Sequence, residues 1–177
     1  MLYCIRMKYN YATIYNKSAA FYNARPRAKK TLVLANKLLT YGYFLAYGLL
    51  WLYAFFQKSF PITDYVRLFL APALTLVTVT VCRWAIRRPR PYSKDGANIT
   101  PLVEKKKDGD SCPSRHLACA AVISITFIPF FPVIGALLLL LCPCLAYARF
   151  ALGLHYPSDL FSGLGLGSAL GLLIFFL

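Results

Sequence analysis

Five apolar runs constrain this chain more than any other feature of its sequence. They cover residues 31–56, 66–86, 116–131, 133–150 and 160–177. A helix of about 20 apolar residues crosses the roughly 30 Å hydrocarbon core of a bilayer. Because lipid offers no hydrogen-bond partners to the backbone, such segments cross the bilayer as helices. The sequence therefore predicts an all-α integral membrane protein with about five transmembrane helices in one bundle.

Glycine, proline and lysine indicate how these runs are arranged. PFFP, residues 129–132, separates the third run from the fourth, and its two prolines favour a turn. In the last run, Gly163, Gly167 and Gly171 recur at four-residue spacing, which lets another helix approach closely. Lys37 lies near enough to the start of the first run for its ammonium group to snorkel to the interface.

The charge of the chain is strongly positive, with 20 Lys and Arg against six Asp and Glu and a formal net charge of +14. Such a balance suits nucleic acid, anionic lipid or a phosphorylated substrate. The hydrophobic fraction of 59% argues against a soluble nucleic-acid-binding protein, which needs no runs this apolar. The six cysteines include no C-x-x-C pair, and most lie in apolar runs, so they are interpreted as small buried side chains. Lipid and phosphate therefore remain as partners, and nucleic acid is not expected.

The first 30 residues differ from the rest of the chain. They contain seven Lys and Arg, no acidic residue and five of the 13 tyrosines. Tyr11, Ile14, Tyr15 and Tyr22 fall on roughly one helical face, which suits a helix lying in the headgroup layer. A disordered basic tail is the alternative. We treat residues 1–30 as an interfacial segment and residues 31–177 as the membrane domain.

Three polar clusters lie on one face of the membrane in the predicted topology. An even number of crossings returns the chain to its starting side, so the clusters share the side of the N-terminus. Their sequences are RWAIRRPRP (residues 83–91), CPSRH (residues 112–116) and ARFALGLHYPSD (residues 148–159). They include His116 and His155, the two histidines of the protein, and also Asp159.

These clusters resemble the motifs of the phosphatidic acid phosphatase type 2 (PAP2) superfamily, K-x6-R-P, P-S-G-H and S-R-x5-H-x3-D. Here the motifs read Arg83-x6-Arg90-Pro91, Pro113-Ser114-Arg115-His116 and Ala148-Arg149-x5-His155-x3-Asp159. Three positions depart from the pattern, because Arg83 stands for lysine, Arg115 for glycine and Ala148 for serine. The departures bear on efficiency and substrate choice more than on the type of reaction.

The cationic residues of the motifs suit phosphate chemistry. Arg83, Arg90 and Arg149 each offer forked donors to phosphate oxygens, and the chain has too few acidic residues for a metal-dependent phosphatase. We expect Arg115 and the Ser114 hydroxyl to bind phosphate as well, with no metal and no cofactor. Arg87 and Arg88, between the first two arginines, are interpreted as interfacial anchors.

The two histidines take complementary roles. A neutral imidazole predominates near pH 7, so His155 can attack phosphorus as a nucleophile. Pro157 favours a helix start, which puts Asp159 in the first turn, where it can accept the imidazole N–H. The alternative is that Asp159 only complements the positive helix end. His116 is the expected general acid and base. The resemblance implies the same roles, with a phosphohistidine intermediate on His155.

The resemblance implies a multi-pass cell-membrane enzyme that hydrolyses a lipid phosphate or diphosphate, and the small size of the chain is similar to that of bacterial members. Undecaprenyl diphosphate, phosphatidylglycerol phosphate and phosphatidic acid are the candidate substrates. The alternative is a weak or inactive PAP2-like protein that binds lipid. The oligomeric state is not predicted.

The orientation in the membrane follows from charge. The N-terminal segment carries seven cations, whereas Lys58 and Arg67 flank the far-side loop. The positive-inside rule therefore favours a cytoplasmic N-terminus and a cytoplasmic active site.

Overall fold

The structure is a computed structural model that describes residues 2–57, 60–104 and 109–175, with side chains described within 11–174. This part of the chain forms six helices. They are α1 (Leu2–Asn23), α2 (Pro26–Phe56), α3 (Ile62–Ile86), α4 (Arg115–Phe127), α5 (Pro132–Ala151) and α6 (Pro157–Phe175). Lys58 and the last two residues of the fifth apolar run lie outside the described residues. The fold is all-helical, as the sequence predicts.

Within the described residues, four helices are long and apolar enough to cross a membrane: α2, α3, α5 and α6 up to Ile174. Their outward faces carry large exposed apolar side chains such as Leu45, Phe69 and Leu140. Water would not favour this surface, but lipid chains would. The chain is therefore a multi-pass membrane protein.

The third apolar run forms a shorter helix than a full crossing needs. Helix α4 has 13 residues and ends at Phe127, because the chain turns at residues 128–130 before Pro132 starts α5. Nearly every side chain of α4 from Leu117 onward is buried among the other helices. Helix α4 thus lies at the centre of the bundle, and the first turn of α4 lies at one end of the bundle.

Helix α6 packs closely on α4 through the glycine stripe. A Cβ atom at Gly163 or Gly167 would collide with the backbone oxygen of Ser114 or Ala118. A Cβ atom at Gly171 would lie 3.1 Å from Ile125. The predicted close approach of another helix to this stripe is confirmed, and it brings the start of α6 against the start of α4.

The N-terminal segment is a helix over its described residues, rather than a disordered tail. Tyr11 and Tyr15 of α1 are buried and pack in one cluster with Leu152, Leu154 and Tyr156, which lie between α5 and α6. The Tyr15 hydroxyl also donates a hydrogen bond of 2.9 Å to the backbone oxygen of Thr100. Helix α1 therefore covers the loop that carries His155.

Gly153 allows this contact between helix and loop. Its φ of +76° lies in the left-handed region that favours glycine. A Cβ atom there would also lie 2.9 Å from the ring of Tyr15. The residue thus turns the chain after α5 and leaves room for α1, two positions before His155.

Candidate active site

The three polar clusters meet at one end of the bundle, and hydrogen bonds join them. Arg83, in the last turn of α3, donates through Nε to the backbone oxygen of Pro113 at 2.9 Å. The Ser114 amide, just before α4, donates to the backbone oxygen of Asp159 in α6 at 2.8 Å. Helices that are distant in sequence therefore present their ends to a single site.

His155 lies at the centre of the site in the loop between α5 and α6, and its side chain is 1% exposed. Burial lowers its pKa to about 4, and the cations of Arg90 and Arg149 act in the same direction, against the raising effect of Asp159. The imidazole is therefore neutral at pH 7. Its Nδ1 atom is buried and has no hydrogen-bond partner.

The Asp159 carboxylate is fully buried and is held by other groups. Its Oδ2 atom accepts a hydrogen bond of 3.0 Å from the Tyr156 amide. The same oxygen lies 3.7 Å from Nδ1 of His155, which is longer than a hydrogen bond. The predicted imidazole contact is therefore not closed in this structure, although the two groups face each other.

Arg88 has a role that the sequence analysis missed. Its Nη1 atom donates to Oδ1 of Asp159 at 2.9 Å and to Oγ of Ser158 at 2.7 Å. Its guanidinium also lies 4.3 Å from the ring centroid of Tyr156. The interpretation of Arg88 as an interfacial anchor is wrong, because Arg88 pairs with the buried carboxylate beside His155.

The turn after α3 explains why Arg87 and Arg88 differ. Arg87 has a φ of 46°, in the left-handed region, and ends α3. It is exposed, and its guanidinium lies 5.7 Å from the ring centroid of Trp84, which suits an interfacial anchor. The turn sends the next residue back toward α6. Arg88 lies outside the motif positions, so sequence spacing gave no indication of its contact with Asp159.

Buried donors without partners lie at the same end of the bundle as the imidazole, and the cations of Arg90 and Arg149 act on it. The Nε atoms of Arg90 and Arg149 and the hydroxyl of Ser114 are buried and make no hydrogen bond in the structure. Thr40 of α2 holds Arg149 by accepting a bond of 2.9 Å from Nη2. Unsatisfied buried donors are costly, and a bound oxyanion would satisfy them.

The remaining predicted phosphate ligands are placed differently. Nε of Arg83 donates to the backbone oxygen of Pro113, and its Nη2 donates to the backbone oxygen of Ser111 at 3.4 Å. Much of this guanidinium group therefore holds the loop before α4. Arg115 is exposed at the first position of α4. Ala148, where the motif has serine, is buried in the cluster under α1.

A cavity of about 480 Å³ opens beside the site. His116 and Arg149 line it together with Leu154, and α2 supplies the facing wall. That wall includes Val33, Asn36, Lys37, Thr40, Tyr41 and Phe44. Lys37, which its place in the sequence puts only at the interface, thus also lines the cavity beside His116.

The described residues contain no group of three or more His, Cys, Asp or Glu side chains that could hold a metal ion. The ligands that converge on this end of the bundle are instead guanidinium groups, a hydroxyl and two imidazoles. Such a set can hold a tetrahedral oxyanion against a neutral nitrogen nucleophile.

Solved structures with a similar fold include the following two. A transmembrane PAP2-type phosphatidylglycerolphosphate phosphatase from Bacillus subtilis matches with a TM-score of 0.66 and 19% sequence identity, covering 98% of this chain and 90% of that one. LpxE of Aquifex aeolicus matches with a TM-score of 0.59 and 24% identity, covering 84% of this chain and 94% of that one. At these identities the likeness shows a shared fold.

Sequence comparison gives the family. Among curated proteins, none matches the chain significantly. Residues 64–177 match the PAP2 superfamily, and they contain α3 from its third residue, α4 to α6 and all three polar clusters. With the motifs at one end of a PAP2 transmembrane fold, the chain belongs to the PAP2 superfamily.

Proposed function

We propose that the protein is a membrane lipid phosphatase that transfers a phosphoryl group to His155 and then to water, without a metal ion. The observation that carries this proposal is a buried, neutral imidazole next to buried donors that lack partners. Family membership supports the same reaction class. The apolar outer faces of the helices favour a substrate that stays in the bilayer.

The first step breaks the bond between phosphorus and the leaving oxygen. Nδ1 of His155 faces Asp159, so Nε2 is the atom that attacks phosphorus. Arg90 and Arg149 neutralise the charge that develops on the phosphate oxygens, and the Ser114 hydroxyl donates a further bond. His116 gives a proton to the leaving oxygen. Burial and the cation of Arg149 lower the pKa of this imidazole, so its protonated form requires the charge of the bound phosphate anion.

The second step releases inorganic phosphate. Water attacks phosphorus, the phosphorus–nitrogen bond breaks, and His116 takes the proton of the water. Asp159 stabilises the imidazolium character that His155 acquires while it carries the phosphoryl group. Arg88 holds Asp159 in place for this task.

The substrate belongs to the lipid phosphates or diphosphates in this proposal. Undecaprenyl diphosphate, phosphatidylglycerol phosphate and phosphatidic acid are the candidates. The similar fold of the Bacillus subtilis phosphatidylglycerolphosphate phosphatase supports the second of these. All three have a phosphate at the membrane surface, which suits a site at one end of the helical bundle.

The experiment is phosphate release by purified protein in neutral detergent, from a panel of the three lipids, with and without EDTA. Turnover of at least one lipid should persist in EDTA and be inhibited by vanadate, which mimics five-coordinate phosphorus. His155→Ala is the control and should release no phosphate. Activity lost in EDTA and restored by magnesium would contradict the metal-free mechanism.

A lipid-binding protein without turnover is the second candidate. Two departures from the motif favour this candidate. The guanidinium group of Arg83 binds mostly backbone oxygens, and Arg115 is exposed. Wild-type protein that binds the lipid panel but releases no phosphate from any member would favour this candidate.

A further inference from the structure

The cavity beside His116 continues along α2. A second cavity, of about 440 Å³, shares Val33, Lys37 and Val103 with the first. Since the two cavities have these wall residues in common, a groove runs from Arg149 past Lys37 toward the N-terminal end of α2. Lys37 lies at the junction, where it can reach a group bound in either part.

Thr40 of α2 accepts a hydrogen bond from Arg149 and so marks the level of the site along this helix. Three residues of helix correspond to about 4.5 Å along the axis, so Lys37 is one turn beyond the arginine of the site. Lys29 and Lys30 line the outer cavity, roughly 10–12 Å further. A group held by Lys37 would therefore be separated by only a short bridge from a phosphate held by Arg149.

The depth of this groove matches lipid headgroups. Helix α2 has 31 residues, about 46 Å of helix, whereas the hydrocarbon core needs roughly 30 Å. Its N-terminal turns, which carry Lys29 and Lys30, therefore extend beyond the hydrocarbon. An anionic headgroup would meet these ammonium groups without leaving the interface.

The charges of the groove favour an anion with polar atoms around it. The inner cavity has Lys37 and Arg149 against one carboxylate, Glu104, and the outer cavity adds Lys29 and Lys30. The Oδ1 atom of Asn36, also in the inner wall, is buried and has no partner. A hydroxyl in the headgroup can donate to that atom.

We propose that Lys37 binds a second phosphate of the substrate while Arg90 and Arg149 bind the phosphate that reacts. The preferred substrates are then lipids with two phosphoryl groups, joined directly or by a short bridge, rather than lipids with one. This inference rests on the proposed phosphatase activity and narrows its substrate class.

The test compares two lipids in neutral detergent micelles that contain no other anionic lipid. Phosphatidylglycerol phosphate has two phosphates and phosphatidic acid has one. Lys37→Gln should lower kcat/KM for the first roughly tenfold or more and for the second less than twofold, because a charge-assisted contact is lost only with the first. Arg27→Gln is the matched control, since Arg27 is exposed on the first turn of α2, and it should change neither value. Equal losses on both lipids from Lys37→Gln would overturn the proposal.

A neighbouring anionic lipid is the other possible source of the phosphate. If such a lipid occupies the groove, adding phosphatidylserine should raise the wild-type rate on phosphatidic acid, and Lys37→Gln should abolish the rise. That result would overturn the assignment to the substrate. We expect no such rise.

A binding measurement separates this inference from the proposed activity. Calorimetric titration should show methylenediphosphonate binding to wild-type protein more tightly than methylphosphonate, and Lys37→Gln should remove the difference. If the protein shows this difference but hydrolyses no lipid, the Lys37 subsite is supported and the phosphatase proposal is contradicted. Protein that hydrolyses lipids but shows no difference would retain the activity and lose the subsite.

Discussion

Nδ1 of His155 and Oδ2 of Asp159 lie 3.7 Å apart, face to face and both buried. The carboxylate is kept in position by Arg88 and the Tyr156 amide rather than by the imidazole. A neutral His155 therefore does not depend on this contact. When the ring gains positive character on accepting a phosphoryl group, a short movement would close the hydrogen bond.

Arg88 should act as a positioning residue for this pair. Arg88→Gln removes the cation that holds Asp159, so kcat should fall roughly tenfold, the loss expected for one charge-assisted hydrogen bond. The freed carboxylate should also raise the pKa of His155, which would shift the acid limb of the pH–rate profile upward. Arg87→Gln, one residue away and exposed, is the control and should leave both unchanged. A fall in kcat without a shift of the acid limb would indicate a merely structural role for Arg88.

The lowered pKa of His155 predicts the pH dependence. Burial puts the folded pKa at about 4, below the ordinary value of about 6.5, so the nucleophile stays neutral down to roughly pH 5. After correction for ionisation of the substrate, kcat/KM should show no acid limb near pH 6.5. In the unfolded chain His155 has its ordinary pKa of about 6.5, so the unfolded state takes up a proton before the folded state does. The contribution of His155 therefore lowers the free energy of unfolding as the pH falls from about 6.5 to about 4. An acid limb at pH 6–7 that His116→Ala leaves in place would contradict a neutral, buried His155.

The two histidines should separate by leaving group. His155→Ala should abolish turnover of every substrate, because the phosphoryl acceptor is lost. His116→Ala should reduce hydrolysis of a lipid phosphate strongly and of nitrophenyl phosphate least, since nitrophenolate leaves without a proton. The measurement is kcat on both substrates for each variant. If His116→Ala slowed both reactions equally, His116 would not be the general acid.

Arg115 should affect substrate choice. It is exposed at the start of α4, where the motif has glycine, and we expect it to contact a phosphate of a diphosphate substrate outside the groove that Lys37 lines. Arg115→Gly should lower activity on undecaprenyl diphosphate roughly ten- to hundredfold relative to phosphatidic acid. An unchanged ratio between the two lipids would make Arg115 an interfacial anchor.

The charge distribution predicts that the site faces the cytoplasm. Asn98, in the loop near the site, and Gln57, at the far end of α2, are both exposed and can each be replaced by cysteine in an otherwise cysteine-free variant. A membrane-impermeant maleimide added to intact cells should label position 57 and not position 98. Labelling of position 98 alone would reverse the orientation.

The sequence was sufficient for the parts of the structure that depend on patterns of neighbouring residues. Apolar runs predicted the helices, and the glycines of α6 predicted its close packing on α4. The length of α4 was not predictable from its run of apolar residues, because the surrounding helices allow a short central helix.

Site residues that lie outside motif positions were harder to find. The contact of Arg88 with Asp159 depends on the left-handed turn at Arg87, and the role of Lys37 depends on how α2 faces His116. Both are relations between elements distant in the sequence. No periodicity or spacing reports them.

The wall of the inner cavity includes Tyr41 and Phe44, and both rings are also exposed on the outer surface of α2. A lipid could therefore slide into the site sideways from its own leaflet while its chains remain among their neighbours. Encounter then becomes a search in two dimensions, governed by the mole fraction of substrate in the leaflet rather than by its concentration in water. For such a protein, diluting the substrate with inert lipid lowers the rate of hydrolysis even when the total amount of substrate is unchanged.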